Sequence, residues 1–297
     1  MGIADAARDM LAAGVANAVS SALLNPSDVT KIRLQSPGGA ELYPGGLLGC
    51  VQQIVRHEGA SSLWLTGLTA SMLREAFYST TRMGLYPYVK KLLGTTDANL
   101  TGKIAAGAVT GALGSIISNP IDVVKISLMA EAGAIGADGK YTSGLQAGRQ
   151  PSWPHTFAAL RSVVADGHAL RGAVPSVSRG VLMAATQLST YDHSKLVIRT
   201  QLRLMDDGPR LHVACSQISA CFCAVVTAPA DLIKTRIMAD RAGYAGPLDC
   251  TLRLCRNEGV LALWRGAFPS FLRLGPHFLI TFPLYEHLRR RLGLGYL

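Results

Sequence analysis

The sequence has few charged and few aromatic residues for its length. Charged side chains make up 16% of the 297 residues and aromatic ones 6%. Disordered chains are rich in charge and poor in apolar residues, so the hydrophobic share of 49% excludes that class. The 31 glycines suit close helix contacts in lipid better than a soluble core of large side chains. These proportions favour a helical membrane protein.

Motifs of several other protein classes are also absent. The six cysteines form no Cys-x-x-Cys pair and no cluster with zinc spacing, so we expect reduced, structural cysteines and no metal site. The sequence contains no P-loop, no Gly-x-Ser-x-Gly string and no HExxH string, which argues against an enzyme. His193, His277 and His287 are therefore interpreted as cavity or interface residues rather than general bases. No cofactor is expected.

Basic residues exceed acidic ones, with 29 against 19. In a soluble protein this excess would indicate nucleic acid, but the sequence has no zinc finger, zipper or aromatic-rich sheet motif. Basic residues flank the apolar segments, where they can face anionic lipid or attract an anionic solute. The first residues include Asp5 and Asp9 and no basic region, so we expect internal targeting information. The expected partners are membrane lipid and an anion, not nucleic acid.

The chain repeats itself three times with a period of roughly a hundred residues. The string Pro-x-Asp-x-x-Lys, called the Pro motif below, begins at Pro26, Pro120 and Pro229. An acidic residue followed by glycine comes after each copy, at Glu58, Asp166 and Glu258. We predict one domain with repeat boundaries at 1–95, 96–202 and 203–297.

Each repeat is predicted to hold two long apolar helices, long enough to cross a bilayer. The six candidates are 8–35, 68–92, 100–129, 173–199, 210–239 and 267–291. Shorter amphipathic segments at 46–57, 152–165 and 247–257 are expected to lie flat on one membrane face. The glycine-rich stretch 130–151 is interpreted as a flexible loop without chemistry. The predicted fold is an all-α membrane protein with six transmembrane helices in three pseudo-symmetric repeats.

Ionisable residues inside these helices must face water or a partner, since exposure to lipid is costly. In each Pro motif the acid and the base stand at i and i+3, near one helix face. Converging helices would form a ring of Asp28, Lys31, Asp122, Lys125, Asp231 and Lys234. A second charged ring at the other end comprises Lys90, Asp192, Lys195, Glu286 and Arg289. Permanent helix contacts are the alternative, but two rings about 20 Å apart are typical of alternating gates.

Between the rings, Arg74, Arg179 and Arg273 recur at one depth of three related helices. No acidic residue matches all three, although Glu75 adjoins one, so we expect a carboxylate or phosphate solute to fill that role. Side chains turned to lipid, or already neutralised by the protein's own carboxylates, would count against an anion site. One and two turns further along the same faces lie Tyr78, Arg82, Gln187 and His277, which are also predicted to line the site.

The three Pro motifs resemble the signature of the mitochondrial carrier family, and the resemblance covers essentially the whole chain. It implies a six-helix bundle of the mitochondrial inner membrane that exposes one central site alternately to each side. The first ring would be the matrix gate and the second the cytoplasmic gate, with Pro87 in place of one gate acid. The three arginines match the substrate contact points. Gln35 matches a glutamine that braces the matrix ring, with Met129 and Met238 in its place elsewhere.

Within that family, the segment LREAFYSTTRMGLY resembles oxoglutarate carriers and SRGVLMAATQLSTYDHSK resembles dicarboxylate carriers. The resemblance implies a monomeric exchanger of malate, succinate or oxoglutarate, with an uncoupling-like anion or proton carrier as the alternative. Glu75 departs from the glutamine usual in this branch. Ser21 replaces the acid found in the first helix of the thermogenic uncoupling protein. The Tyr-x-Gly strings at Tyr43 and Tyr244 look like cardiolipin sites, where helix N-termini would hold phosphate.

Overall fold

The computed structural model describes residues 3–94, 100–198, 209–239 and 243–293. Within these ranges the protein is helical, with a single isolated bridge between Ile135 and Tyr141 and no strands, so the all-helical prediction is confirmed. The α-helices are α1 (Ile3–Leu23), α2 (Asn25–Gln35), α3 (Gly39–Leu42), α4 (Gly46–Glu58), α5 (Ala60–Leu65), α6 (Leu68–Leu92), α7 (Leu100–Glu131), α8 (Thr156–Ala165), α9 (Ala173–Leu196), α10 (Pro209–Ala239), α11 (Pro247–Asn257) and α12 (Ala267–Arg291). Short 3-10 turns at His168–Leu170 and Val260–Trp264 precede α9 and α12.

The long helices contact one another in a closed circle. Helix α1 packs against α6 and α12, α7 packs against α6 and α9, and α10 packs against α9 and α12. Helix α2 begins one residue after the break at Leu24 and contacts α7, α10 and α12. Polar side chains on the inner faces of these helices can therefore meet even when they are far apart in sequence.

The three prolines of the Pro motifs have different local effects. The chain leaves helical geometry at Leu24, so the first predicted span consists of two helices. Pro26 then lies in the first turn of α2, where its missing N–H has no helical partner to lose. Helices α7 and α10 instead continue through Pro120 and Pro229. At these positions one backbone hydrogen bond is lost inside the helix, which neighbouring helices can tolerate.

Length and hydropathy together mark two helical segments as able to cross a membrane, Ala105–Glu131 and Gln217–Ala239. They are the two among the described residues that satisfy both conditions. The remaining long helices carry more charge: α12, for example, holds Arg273 and the basic run Arg289 to Arg291. A charged residue lowers the mean hydropathy of a helix equally whether its side chain faces lipid or the interior of the bundle. The predicted number of six membrane spans is therefore not tested by hydropathy and stays a prediction.

The segment between α7 and α8 has a defined fold, contrary to the flexible loop that its glycine content predicts. Its backbone is tied across itself by the bonds from Thr142 N to Ala134 O at 2.7 Å and from Tyr141 N to Arg149 O at 2.9 Å. The Ser143 hydroxyl also donates to Glu58 Oε1 at 3.4 Å. The segment is therefore held against the end of α4.

The three amphipathic helices α4, α8 and α11 lie at the end of the bundle that carries the Pro motifs. Helix α8 begins at Thr156 rather than at the predicted 152, because the chain after Pro154 is extended at His155. In α4, Cys50 and Ile54 are buried in the core cluster below α2. Burial raises the pKa of the Cys50 thiol to about 12, so this cysteine stays protonated, as a structural cysteine should.

Candidate functional site

The acid and the base of each Pro motif pair with residues on different helices. The distances from Nζ to Oδ2 are 2.8 Å for Lys31–Asp231, 2.6 Å for Lys125–Asp28 and 2.7 Å for Lys234–Asp122. In each motif the lysine forms an ion pair with one neighbouring helix and the aspartate forms an ion pair with the other. These six residues, the Lys–Asp ring, thus join α2, α7 and α10 in a closed loop. Their side chains are at most 11% exposed.

The three arginines lie beside this ring, and each contacts one of its aspartates. The distances from Nε to Oδ1 are 3.1 Å for Arg74–Asp122, 3.3 Å for Arg179–Asp231 and 2.8 Å for Arg273–Asp28. Each ring aspartate therefore binds a lysine through Oδ2 and an arginine through Oδ1. The expectation that no acidic residue matches all three arginines is wrong. Their partners are the Pro-motif aspartates themselves, which lie far away in sequence but at the adjacent depth.

The Lys–Asp ring and the three arginines together form one buried group, called the arginine cluster below. The ring aspartates neutralise its positive charge only in part. Glu75 is a fourth acid, and its Oε1 atom lies 2.6 Å from Arg74 Nη1 and 3.2 Å from Arg273 Nη2. The ring lysines and the arginines supply six positive charges against four carboxylates, which leaves two positive charges in excess. Charge is weakly screened in a buried site. The arrangement therefore suits an anion with two negative charges.

Arg74 is held from its other face by Tyr78, one helical turn away. The guanidinium carbon lies 4.7 Å from the centre of the Tyr78 ring, a distance typical of a cation–π contact. The ring packs on the backbone of α7, where a Cβ atom on Gly114 would come within 3.3 Å of it. Gly111 and Gly114 of α7, which have no side chain, thus make room for this ring.

The other residues predicted to line the site have different environments. Arg179 Nη1 lies 3.8 Å from Met183 Sδ, and its side chain is 19% exposed. Arg82 is exposed, and His277 is half-buried on α12, one turn beyond Arg273. The side chain of Gln187 lies outside the described residues.

One helical turn beyond the ring lysines, Gln35, Met129 and Met238 form a layer of three long side chains at related positions of α2, α7 and α10. Gln35 is buried, accepts a hydrogen bond from Thr235 Oγ1 at 3.0 Å and donates to Arg265 O at 3.3 Å. Met129 and Met238, at the related positions, are also buried. Gln35 therefore contacts α10, which carries the ring residue Asp231, and its bracing role stays a prediction.

This layer is matched to three glycines that immediately precede α6, α9 and α12. Gly67, Gly172 and Gly266 have φ angles of 63°, 70° and 101°, which other residues rarely adopt. A Cβ atom on Gly67 would lie 2.9 Å from Met129, and one on Gly172 would lie 2.9 Å from Met238. Glycine is thus required both for the turn and for the space.

A cavity of about 370 Å³ lies beyond the layer, on the side away from the arginines. Ser36, Ala130 and Ala239, each one residue past the layer, line it together with Tyr141 and Arg149 of the α7–α8 segment. The Lys–Asp ring and the layer below it therefore separate this cavity from the three arginines.

The structure describes only some side chains of the second charged ring, which is predicted at the opposite end of the bundle. The side chains of Pro87, Asp192, His193, Lys195 and Glu286 lie outside the described residues. Lys90 is half-buried and His287 is exposed. Arg289 lies over the ring of Tyr285, with its Cζ atom 5.6 Å from the ring centre. Pairing within this ring stays a prediction.

Asn25 has a structural role that the Pro motif alone does not predict. Its amide group donates to Trp64 O at 2.8 Å and Thr66 O at 2.9 Å, and its oxygen accepts from Ser71 Oγ at 3.0 Å. Asn119 bonds two backbone carbonyls in the second repeat in the same way. The Asn-Pro dipeptide shared by both repeats is the sequence signal that could have identified this contact.

The acidic residues of two acidic-Gly pairs also have specific partners. Arg33 donates from Nη1 to Glu58 Oε1 at 2.5 Å and from Nη2 to Glu58 Oε2 at 2.7 Å. In the third repeat, Arg236 Nη1 lies 2.6 Å from Glu258 Oε1. Burial raises the pKa of Glu258, but the bonds from Arg236 and Arg265 outweigh it and leave the pKa below its usual value.

Replacing Asn25 by alanine should lower the melting temperature of the purified protein. The change leaves the carbonyls of Trp64 and Thr66 without their donor in a partly buried contact, a loss that costs about 1–3 kcal/mol. Asn17→Ala is the matched control, because the Asn17 amide donates to Ala13 O of its own helix and does not connect two elements. Equal melting temperatures for the two variants would contradict the role assigned to Asn25.

Comparisons with known proteins agree on one family. The family profile described as "Mitochondrial carrier protein" matches residues 4–97, 96–202 and 206–295. "Mitochondrial substrate carrier family protein ucpB" of Dictyostelium discoideum is 34% identical over 283 residues, 91% of this chain and 90% of the relative. "Probable mitochondrial 2-oxoglutarate/malate carrier protein" of the same organism is 34% identical over 93% of this chain and 86% of its own. "Mitochondrial brown fat uncoupling protein 1" of Ovis aries is 33% identical over 95% and 91%.

These matches cover the chain from end to end, and the three profile matches follow one another as the Pro motifs do. The relatives are mitochondrial, and their names describe transporters or uncoupling proteins rather than enzymes. The chain belongs to the mitochondrial carrier family and is a transporter of the mitochondrial inner membrane.

Proposed function

We propose that this carrier exchanges small dicarboxylates or oxo-acids, of the malate, succinate and oxoglutarate type, across the inner membrane. The observation that carries the proposal is the excess of two positive charges in a buried cluster that contains three arginines. A guanidinium group can bind both oxygens of a carboxylate. A solute with two carboxylates would therefore neutralise the cluster and contact more than one arginine.

The shared aspartates provide a coupling between solute and gate. Arg179 and Arg273 hold Oδ1 of Asp231 and Asp28, whose Oδ2 atoms bind ring lysines. A solute carboxylate that draws an arginine toward itself removes one of the two contacts of that aspartate. Binding energy from the solute would then offset the opening of the ring, as differential binding to two states requires. In this proposal the Lys–Asp ring is the matrix gate, braced by Gln35.

The opposite gate would form from Lys90, Asp192, Lys195, Glu286 and Arg289. Pro87 replaces one of its acids, so at most two of three ion pairs can form there. We therefore propose a cytoplasmic gate that is weaker than the matrix gate. Six membrane spans in three repeats, a monomeric state and bound cardiolipin belong to the same proposal.

An uncoupling-like carrier is the second candidate, because the relative named brown fat uncoupling protein 1 is 33% identical and the 2-oxoglutarate/malate carrier 34% identical to this chain. The two functions differ in one measurable property. An exchanger needs a counter-solute on the far side of the membrane, whereas an uncoupling-like carrier does not. Ser21, where the thermogenic protein's first helix has an acid, is buried in α1, which favours the exchanger.

The test uses the full chain in liposomes loaded with malate, succinate, oxoglutarate or no solute. We expect uptake of labelled malate only when a counter-anion is inside. A thermal-shift panel should give the same ranking, because a solute that binds the folded carrier raises its melting temperature. Uptake into empty liposomes would favour the second candidate. If no organic acid in the panel is taken up and none raises the melting temperature, the proposal is overturned.

A further inference from the structure

One carboxylate of the cluster does not obey the threefold pattern. Glu75 follows Arg74 in α6, whereas Gly180 and Leu274 follow the two related arginines. The residue is 5% exposed. Its Oε1 atom accepts hydrogen bonds from Arg74 Nη1 at 2.6 Å and from Arg273 Nη2 at 3.2 Å. A single protein carboxylate therefore bridges two of the three arginines.

The arginines consequently differ in how much of their binding capacity is free. Arg74 is the most covered, since Asp122, Glu75 and the Tyr78 ring surround it and leave 9% of its side chain exposed. Among the described residues, Arg179 contacts one acid, Asp231, and makes a weak contact with a methionine sulfur. Arg273 is 21% exposed although it meets two acids. The accessible side of the cluster is therefore formed by Arg179 and Arg273.

A solute carboxylate placed between Arg74 and Arg273 would meet the Glu75 carboxylate at hydrogen-bonding distance. Like charges so close together repel strongly where water does not screen them. A solute with three carboxylates would also exceed the two positive charges that the cluster leaves unmatched. Glu75 thus excludes a third carboxylate by its position and by its charge.

We propose that Glu75 is a specificity-determining residue that occupies one carboxylate subsite and thereby restricts the carrier to solutes with two negative charges. The inference rests on the proposed function and names the charge class of its solute. The two solute carboxylates bind Arg179 and the open side of Arg273. Arg74 is a positioning residue that holds Glu75 in the bridge.

The test compares succinate with propane-1,2,3-tricarboxylate, which has one further carboxylate on the same kind of chain. Uptake into loaded liposomes and the rise in melting temperature are measured for both compounds at about pH 7, where the carboxylates of either compound are ionised. The wild type should select succinate. Glu75→Gln keeps the size of the side chain and removes its charge, so the ratio of tricarboxylate to dicarboxylate binding should rise at least about tenfold.

Two further variants control for charge and for folding. Glu131→Gln removes one negative charge at the far end of α7, where Glu131 accepts a hydrogen bond from Ser152 Oγ and lies outside the group formed by Arg74, Arg179 and Arg273, and the ratio should not change. Glu75→Asp keeps the charge and should keep the selection of succinate. If Glu75→Gln does not fold, the test uses Glu75→Asp and the wild type. Equal binding of succinate and the tricarboxylate by these two proteins would then overturn the inference.

An unchanged ratio in folded Glu75→Gln also overturns the inference, while the proposed exchange survives as long as the wild type transports succinate. Loss of binding of both compounds in the folded variant would show that Glu75 arranges the whole site rather than selecting between solutes, and would overturn the inference as well. If the wild type transports neither compound nor any other organic acid, the proposed function fails and the inference fails with it.

Discussion

Arg179→Gln should abolish dicarboxylate exchange while leaving the unliganded carrier about as stable as the wild type. Among the residues that the structure describes, the acidic partner of Arg179 is Asp231, at 3.3 Å, and that aspartate keeps its bond to Lys31. The substitution removes one of the two positive charges in excess, so the relief of repulsion offsets the lost contact. A solute carboxylate, by contrast, loses a guanidinium group that binds both of its oxygens. This loss costs about 3 kcal/mol, roughly a hundredfold in affinity.

Arg74→Gln should also stop exchange, but for a different reason. Arg74 lies between Asp122 and Glu75 with 9% of its side chain exposed. Its removal leaves two buried carboxylates short of a partner, a change that costs about 3–5 kcal/mol. The variant should therefore melt well below the wild type even without solute.

The two variants are compared by initial rates of malate exchange and by melting curves with and without malate. Arg161→Gln, an exposed position on α8, controls for the change in net charge and should retain exchange. Full exchange in Arg179→Gln would refute the arginine site. Similar melting temperatures for the Arg74 and Arg179 variants would refute the distinction between a solute contact and a positioning residue.

The positions of the helices and of the Lys–Asp ring are the part of this protein that sequence predicts well. The Pro motif fixes an acid and a base at i and i+3 on one helix face, and a threefold repeat then leaves each lysine only an aspartate of the next helix to meet. The structure brings Lys31 to Asp231 and Lys125 to Asp28 in that way. Local spacing and repetition suffice for such contacts.

The partners of the arginines could not be predicted in this way. Arg74 and Asp122 are 48 residues apart, and Arg273 and Glu75 are 198 residues apart. Neither pair follows from a spacing within one repeat, because each depends on the depth of one helix relative to another. Sequence therefore predicts three arginines without acidic partners that can bind an anion, whereas the structure shows each of them in contact with an aspartate of the Lys–Asp ring. The same limit hides the fold of the α7–α8 segment, whose bonds are not periodic.

Exchanging the charges of one ring pair should separate gating from simple stability. Asp231→Lys alone places a third cation beside Lys31 and Arg179, and Lys31→Asp alone places two carboxylates in contact. Breaking a buried ion pair costs about 3–5 kcal/mol, so each single variant should lose exchange and melt at a lower temperature. The reversed pair in the double variant restores the attraction across α2 and α10.

Recovery in the double variant should be partial, since the lysine introduced on α10 would still lie beside Arg179. We expect an interaction energy of about 1–3 kcal/mol in the double-mutant cycle, measured by melting temperature and by malate exchange. The exposed pair Asp249–Arg253 on α11, at 2.7 Å, is the control for exchange, because exchanging the charges of a pair outside the ring should leave the rate of malate exchange unchanged. Wild-type exchange in both single variants would mean that this pair does not gate. Stability recovered without any exchange would instead mean that the orientation of the pair matters, because Asp231 then serves Arg179 and the solute as well as Lys31.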